Sequence, residues 1–120
     1  MSETRPAYGT PASWSEDEFL GLVIDLAHLA GWRVLHQRPC KTAKGWRSVV
    51  QGDAGYPDLT LAKNGRVIFA ELKSQRGVVE FEQARWLAAI EGEKPGNAPY
   101  IWRPRDLDTI KMVLGVEDAG

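Results

Sequence analysis

Residues 56–73, YPDLTLAKNGRVIFAELK, predict a β-hairpin. Asn64-Gly65 stands between two short runs of apolar and β-prone residues, and Asn-Gly is the strongest local signal for a two-residue hairpin turn. If these two residues form the turn, each step back along the first strand matches a step forward along the second. Asp58 therefore faces Glu71 across the hairpin.

This pairing brings two acidic side chains together. Facing residues of an antiparallel pair have Cβ atoms about 4.5–5.5 Å apart, and two carboxylates at that distance repel each other unless a proton or a cation lies between them. Lys73 lies two residues after Glu71 and points to the same face of the strand, because side chains alternate with a period of two. Asp58, Glu71 and Lys73 therefore form a predicted metal site that includes its own cationic side chain.

The length and composition indicate one small domain. The chain has 120 residues, and 26% of them are charged, as is usual for a globular protein. We expect residues 1–13 to be a flexible leader, residues 14–116 to form the domain and residues 117–120 to be a tail. The single cysteine, Cys40, excludes an internal disulfide and fits a reducing compartment. No apolar segment is long enough to cross a membrane, so we expect a cytoplasmic protein.

A basic segment precedes the hairpin. No acidic residue occurs between positions 26 and 52, and the candidates for DNA contact in this segment are Arg33, Arg38, Lys41, Lys44, Trp46 and Arg47. One interpretation is a solvated basic loop. The other is an electrostatic footprint for phosphates, with Trp46 stacking on a base. The second is favoured because the segment leads directly into Asp58, so that a bound polyanion would arrive at the predicted metal site.

Helix and strand signals around the hairpin predict a mixed α/β fold. Ser13 or Ser15 caps a first helix, which has acidic residues in its first turn and stops at Gly31. The other predicted elements are a strand over 32–36, a long loop over 39–55, a helix over 80–91 with Phe81, Ala84, Leu87, Ala88 and Glu91 at helical spacing, a strand over 100–102 and a last helix over 106–114. The order αβββαβα favours a sheet flanked by helices.

Motifs in this order resemble the PD-(D/E)xK nuclease superfamily and, more narrowly, its VRR-NUC domains. The resemblance covers about residues 16–114 and is carried by Gly55-Tyr56-Pro57-Asp58-Leu59, GRVIFAELK at 65–73, Gln83-Ala84-Arg85-Trp86-Leu87, and a first helix ending at Gly31-Trp32 before His36. Two features depart from the family pattern: Glu80 stands where Ser, Thr or Asp would cap a helix, and the loop over 39–55 is long. The resemblance implies a restriction-endonuclease-like αβββαβ core, with a central mixed sheet flanked by helices and an extra C-terminal helix.

The resemblance also implies Mg²⁺- or Mn²⁺-dependent hydrolysis of DNA phosphodiester bonds. Asp58, Glu71 and the main-chain carbonyl of Leu72 would hold the ion, and Lys73 would orient a water or help to deprotonate it. The residue types agree with this chemistry. Hard divalent cations prefer oxygen ligands, and Mg²⁺ usually takes only one or two protein carboxylates.

Two further residues are candidates for the site. A further acid often comes from the first helix in this superfamily, and helical phase selects Glu16, at the margin of the apolar face, over Asp17 and Glu18. The alternative is that Glu16 only interacts favourably with the helix dipole. Gln83 is expected to hydrogen-bond a DNA phosphate or Lys73.

The remaining aromatic residues and histidines have structural interpretations. Trp32, Trp86 and Trp102 are predicted to pack in the core, and His28 is predicted to lie at the surface. His36 ends the first strand near the expected site, and its role stays open. Two widely spaced histidines and one cysteine make no zinc site.

Three functions remain open at this level. The leading one is a structure-specific DNA endonuclease of a bacterium or phage, acting on Holliday junctions or flaps. Stand-alone domains that resemble this one act as homodimers, and two-fold pairing would supply two sites that match the symmetry of a junction. The alternatives are a restriction- or recombination-type nuclease on ordinary duplex or single-stranded DNA, and a non-catalytic DNA-binding module. The intact set of Asp58, Glu71 and Lys73 argues against the last.

Overall fold

The computed structural model describes residues 11–37, 40–42, 45–47, 51–93 and 98–116, with the backbone alone at 40–42 and 45–47. These ranges contain three α-helices and six strands of a mixed α/β fold. In chain order they are α1 (Glu16–Leu29), β1 (Arg33–His36), β2 (Cys40–Thr42), β3 (Gly45–Arg47), β4 (Leu59–Lys63), β5 (Arg66–Leu72), α2 (Phe81–Glu91), β6 (Ala98–Trp102) and α3 (Leu107–Leu114). Short 3₁₀ turns precede α1 (Pro11–Ser13) and α3 (Pro104–Asp106).

Four of the strands form one open mixed sheet in the order β1-β4-β5-β6. β1, β4 and β5 are antiparallel neighbours, whereas β6 is parallel to β5. A parallel pair requires a crossover connection, and α2 provides it. The predicted central mixed sheet with flanking helices is therefore confirmed as an α/β arrangement.

The turn between β4 and β5 has the geometry that its sequence predicts. Asn64 and Gly65 both have positive φ, 49° and 78°, as the first and second positions of a type I′ turn require. Lys63 pairs with Arg66, and the register continues to Leu59 opposite Ala70. The predicted register is thus confirmed up to the pair next to Asp58 and Glu71.

Helix α1 begins and ends where the sequence indicates. The Ser15 hydroxyl accepts a hydrogen bond from the Glu18 amide, and the Glu18 carboxylate accepts one from the Ser15 amide, both at 3.1 Å. This reciprocal capping selects Ser15 over Ser13 as the cap. The buried face of the helix is formed by Phe19, Leu20, Val23 and Ala27.

The core lies between the sheet and helices α1 and α3. Its buried hydrophobic members are Trp14, Phe19, Leu20, Val23, Ala27, Trp32, Leu59, Leu61, Ile68, Ala70, Leu72, Trp102, Ile110 and Leu114. The Trp32 indole N–H donates to the Leu114 carbonyl at 2.8 Å, which ties the end of α3 to the start of the sheet. The prediction of core positions for Trp32 and Trp102 is confirmed.

Two segments differ from the predicted organisation. The stretch predicted as a long loop over 39–55 contains β2 and β3, which pair with each other as a separate two-stranded antiparallel sheet. Pro11–Ser13, assigned to the flexible leader, forms a 3₁₀ turn whose Pro11 carbonyl accepts from the Trp14 amide at 3.3 Å. Burial of Trp14 explains why this turn belongs to the domain. Residues 1–10 and the predicted tail at 117–120 lie outside the described residues.

The predicted helix over 80–91 is confirmed as α2, but most of the residues whose spacing predicts it lie at the surface. Phe81 is 74% exposed, Ala84 and Ala88 are also exposed, and Leu87 alone in this helix is buried. The half-buried residues of this helix are Glu82, Gln83, Trp86 and Ile90. This follows from how the helix meets the segment before Asp58, because its first turn packs directly on a glycine.

That glycine is Gly55, and its replacement should be costly. Gly55 has φ +95°, and a Cβ placed on it would lie 2.6 Å from the backbone C and O atoms of Glu82. Gly55→Ala is therefore expected to lower the free energy of unfolding by about 2–4 kcal/mol, through a strained backbone and a clash that no side-chain rotation relieves. Urea denaturation of the two proteins would measure the difference.

Gly52→Ala provides the matched control for this prediction. Gly52 also has a positive φ, +116°, but a Cβ there would meet nothing within 4 Å, so only the backbone cost of about 1 kcal/mol applies. Equal losses at Gly52 and Gly55 would contradict the proposed close contact with α2.

No helix within the described ranges is long and apolar enough to span a bilayer.

Candidate active site

Asp58 lies one residue before the first residue of β4 and is fixed there by the neighbouring strand. Its Oδ2 accepts a hydrogen bond from the Leu72 amide at 2.8 Å. The preceding residue, Pro57, is fully buried and fixes the local φ angle. The side chain that the hairpin register directs toward β5 is therefore held in place by the backbone of β5.

Glu71 is the one buried charged residue within the described part of the core. Its side chain is 1% exposed, and neither of its carboxylate oxygens has a hydrogen-bond partner among the described residues. Burial raises the pKa of Glu71 to about 9, the nearby Asp58 carboxyl adds to the rise, and the Lys73 ammonium opposes it. Since an unsatisfied buried carboxylate is unfavourable, this position requires a proton or a cation.

Lys73 follows immediately on the end of β5, where its amide donates to the Trp102 carbonyl of β6 at 3.0 Å. Its side chain is 12% exposed, and its Nζ lies 3.9 Å from Oε1 of Glu16 at the start of α1. Glu16 is 54% exposed, so this pair adds little stability. It does show that the structure brings Glu16 to Lys73.

A cavity of about 160 Å³ opens at this point between α1 and the sheet. Its lining comprises Glu16, Asp17, Leu20, His36, Gln37, Asp58 and Leu72. His36 therefore borders the site, at the end of β1 that pairs with Leu59. Asp17, which helical phase excluded, also lines the cavity. Because Leu20 belongs to the buried face, the residue three positions before it is turned toward the same side.

A divalent cation fits this donor set. The described residues bring together no group of three or more His, Cys, Asp and Glu side chains that could hold a metal ion. Mg²⁺, however, usually keeps several waters and takes one or two carboxylates. Asp58 and Glu71 meet that requirement, and the unpartnered oxygens of Glu71 are the atoms that such an ion would satisfy.

An arginine that the sequence analysis did not identify holds the turn after Lys73. The Nη1 atom of Arg103 donates to the carbonyls of Ser74, Gln75 and Gly77 at 2.9, 3.5 and 2.7 Å. The Gln75 side chain in turn accepts from the Arg105 amide at 3.1 Å. All these partners are distant in sequence, and three of them are backbone atoms, so no local pattern indicates the contact.

Two residues of α2 make contacts that the sequence does not predict. The Gln83 side chain caps this helix, with Oε1 accepting from the Glu80 amide at 2.8 Å; a contact with phosphate stays a prediction. Trp86 is not a core residue. It is half-buried, its indole N–H donates to the Asp53 carbonyl at 3.2 Å, and its ring stands at 82° to that of Tyr56 with centroids 5.0 Å apart.

The predicted basic footprint is described only in part. Arg33 is exposed at the end of β1 that pairs with Ala62, three positions before His36 and therefore about 10 Å from it. Arg38 and Lys44 lie outside the described residues, as do the side chains of Lys41, Trp46 and Arg47. His28 is exposed, as predicted.

Comparison with protein-family models and with curated proteins found no match to this sequence. A function is therefore inferred from the arrangement of Asp58, Glu71 and Lys73 and from the resemblance of the motifs that contain them.

Proposed function

We propose that this protein is a divalent-metal-dependent DNA endonuclease whose α/β fold is that of the VRR-NUC branch of the PD-(D/E)xK nucleases. The observation that carries the proposal is the buried Glu71 carboxylate, which lies beside Asp58 and whose oxygens accept no hydrogen bond from the residues that the structure describes. A purely structural glutamate in this position would be replaced at a gain in stability by glutamine or an apolar residue. Keeping an acid there is understandable if it binds a cation.

Mg²⁺ or Mn²⁺ is the cofactor that suits these residues. Asp58 and Glu71 would hold the ion together with the Leu72 carbonyl, and waters would complete its coordination. When bound, such an ion supplies Lewis-acid polarisation of a phosphate and lowers the pKa of a coordinated water.

Lys73 is the residue best placed to act on the attacking water. Its ammonium group carries three donors and no acceptor, and among the described residues the carboxylate within salt-bridge distance of it is that of Glu16, at 3.9 Å. Donors therefore remain for a water or for a non-bridging phosphate oxygen. Glu16 and Arg103 act indirectly: Glu16 faces the ammonium, and Arg103 fixes the turn that follows Lys73.

DNA is the substrate that the rest of the chain favours. The basic residues of the segment before the hairpin offer contacts to phosphates, and the sequence contains no glycine-rich phosphate loop of the nucleotide-hydrolysing type. Branched DNA, such as a Holliday junction or a flap, is the proposed target. A homodimer would present two sites related by two-fold symmetry to such a junction.

A cleavage assay on four substrates tests this proposal. The purified protein with Mn²⁺ is incubated separately with a four-way junction, a flap, a linear duplex and a single strand. We expect the junction or flap to be cleaved at least about tenfold faster than the duplex and the single strand. With EDTA in place of Mn²⁺, we expect no cleavage of any substrate. Asp58→Asn is the control for contaminating nucleases.

The outcomes separate the alternatives. Equal cleavage of all four substrates would favour a restriction- or recombination-type nuclease over a structure-specific one. If the protein binds DNA but cleaves no substrate with either Mg²⁺ or Mn²⁺, the nuclease proposal is overturned. The remaining function is then the non-catalytic DNA-binding module.

A further inference from the structure

A second groove adjoins the cavity of the candidate active site. Its volume is about 370 Å³, and it is lined mainly by Leu35, Gln37, Gln51, Asp53, Tyr56 and Trp86. We call it the Trp86 groove. Gln37 lines both this groove and the cavity that contains Asp58, so the two are neighbours in space. In sequence, Tyr56 is two residues from Asp58, a span of at most about 7 Å.

The apolar part of the Trp86 groove is formed by Leu35, Tyr56 and Trp86, and hydrogen bonds hold the two aromatic side chains in position. Leu35 is 55% exposed although it belongs to a strand of the main sheet. The Tyr56 hydroxyl is hydrogen-bonded to Thr60 Oγ1 at 2.8 Å, and the Trp86 indole N–H to the Asp53 carbonyl at 3.2 Å. The polar atoms of both aromatic residues are therefore occupied, which leaves their ring surfaces as the groups they offer to a ligand.

The polar side chains that line the groove are two amides, Gln37 and Gln51, and one carboxylate, Asp53. Gln37 and Gln51 each offer a carbonyl acceptor and an NH₂ donor, whereas no Lys or Arg is among the described residues that line the groove. Two amides and one carboxylate beside aromatic surfaces suit a flat ligand with hydrogen-bond donors and acceptors at its edge. They do not suit a phosphate, which needs cationic partners.

A single nucleobase has these properties. Its faces stack on aromatic side chains, and its edge pairs with amide groups. The groove volume lies near the lower end of the range of about 300–1,000 Å³ for small-molecule sites, as expected for one nucleotide. A base paired within a duplex cannot enter such a groove without leaving the stack.

We propose that the Trp86 groove receives one unpaired nucleobase beside the phosphate that is cleaved. The proposal rests on the nuclease function proposed above and narrows its substrate class. The preferred DNA contains an unpaired nucleotide next to the cut, as a flap or a branch point does, and cleavage of a continuous duplex requires that a base is first flipped out.

Binding without cleavage tests this proposal. Affinities of the wild-type protein are measured in EDTA by fluorescence anisotropy, with flap DNA in which single nucleotides around the branch are replaced one at a time by abasic residues. We expect one position at which loss of the base weakens binding about tenfold, in line with stacking of one base. Trp86→Ala should weaken binding of intact DNA by a similar factor and should no longer respond to the abasic residue at that position.

Two further variants provide the controls. Phe81→Ala removes another aromatic ring from α2, but Phe81 is 74% exposed, and the variant should bind and respond to the abasic series as the wild type does. In Gln37→Ala, the abasic residue at the sensitive position should weaken binding less than it does in the wild type. This variant tests the proposal even if Trp86→Ala fails to fold. Combining each protein substitution with the abasic substitution gives a double-mutant cycle, which measures the coupling energy between that side chain and the base.

The possible results distinguish this proposal from the one on which it rests. A scan of wild-type protein without any sensitive position, or a Trp86→Ala variant that loses affinity but still responds fully to the abasic residue, would overturn the base site. Cleavage of branched DNA combined with such a scan would leave the nuclease intact and reject the base site. A sensitive position coupled to Trp86 without cleavage under any metal condition would support the base site and reject the nuclease.

Discussion

Replacing Glu71 by glutamine is expected to abolish DNA cleavage and, at the same time, to stabilise the protein in the absence of metal. The substitution removes one of the two proposed carboxylate ligands, so we expect the cleavage rate to fall at least about a thousandfold. It also removes a buried acid whose oxygens have no hydrogen-bond partner in the described part of the chain. At pH 8 the folded protein holds a proton on Glu71 that the unfolded chain has lost, so the free energy of unfolding in EDTA should rise by up to about 5 kcal/mol on this substitution.

Cleavage rates with Mn²⁺ and urea denaturation in EDTA would measure the two effects on the same preparation. Asp58→Asn should lose cleavage to a similar degree with little gain in stability, because an amide oxygen can still accept from the Leu72 amide. Glu91→Gln, which alters an exposed residue at the end of α2, should change neither quantity. A Glu71→Gln protein that cleaves at the wild-type rate would show that this carboxylate is not part of the active site.

The metal-free protein should lose stability as the pH rises above about 4.5. In the unfolded chain Glu71 has its ordinary pKa of 4.5, whereas burial in the folded protein raises its pKa to about 9. Between these values the folded state holds a proton that the unfolded state has lost, so each pH unit favours unfolding by up to about 1.4 kcal/mol. The stabilising contribution is fully present below the lower value and is lost once the pH passes the higher one.

Urea denaturation in EDTA between pH 5 and pH 9 would measure this slope. Glu71→Gln should flatten it, and so should Mg²⁺ or Mn²⁺ added to the wild type, because a bound cation stabilises the ionised carboxylate. If the free energies of unfolding of wild type and Glu71→Gln fall in parallel over this range, the slope comes from other groups, and burial does not raise the pKa of Glu71.

The hairpin could be predicted from sequence because its signal is local and strict. Asn64-Gly65 accepts the two positive φ angles that a type I′ turn needs, and the turn then fixes the facing pairs by counting. The start of α1 could be predicted to within two residues, as a cap at Ser13 or Ser15, and the structure selects Ser15, whose capping hydrogen bonds fall within four residues. The register next to Asp58 and Glu71 follows from the turn alone.

Features that depend on contacts between distant segments were missed. The buried side of α2 is set by the approach of Gly55 to Glu82, which overrides the apolar spacing of the helix itself. Trp86 consequently borders a groove instead of the core. The β2–β3 pair lies in a segment rich in charged and turn-forming residues, where strands of three residues leave almost no periodic signal.

The contacts that hold Lys73 determine when, during translation, the candidate active site can be completed. Its amide and the turn after it are held by Trp102 and Arg103, which leave the ribosome about thirty residues later, after the whole of α2. Since synthesis proceeds from the N-terminus, a nascent chain exposes both acids long before the strand that fixes the lysine. Polypeptides released early would therefore carry the acidic pair without an organised site, and cleavage would be confined to finished molecules.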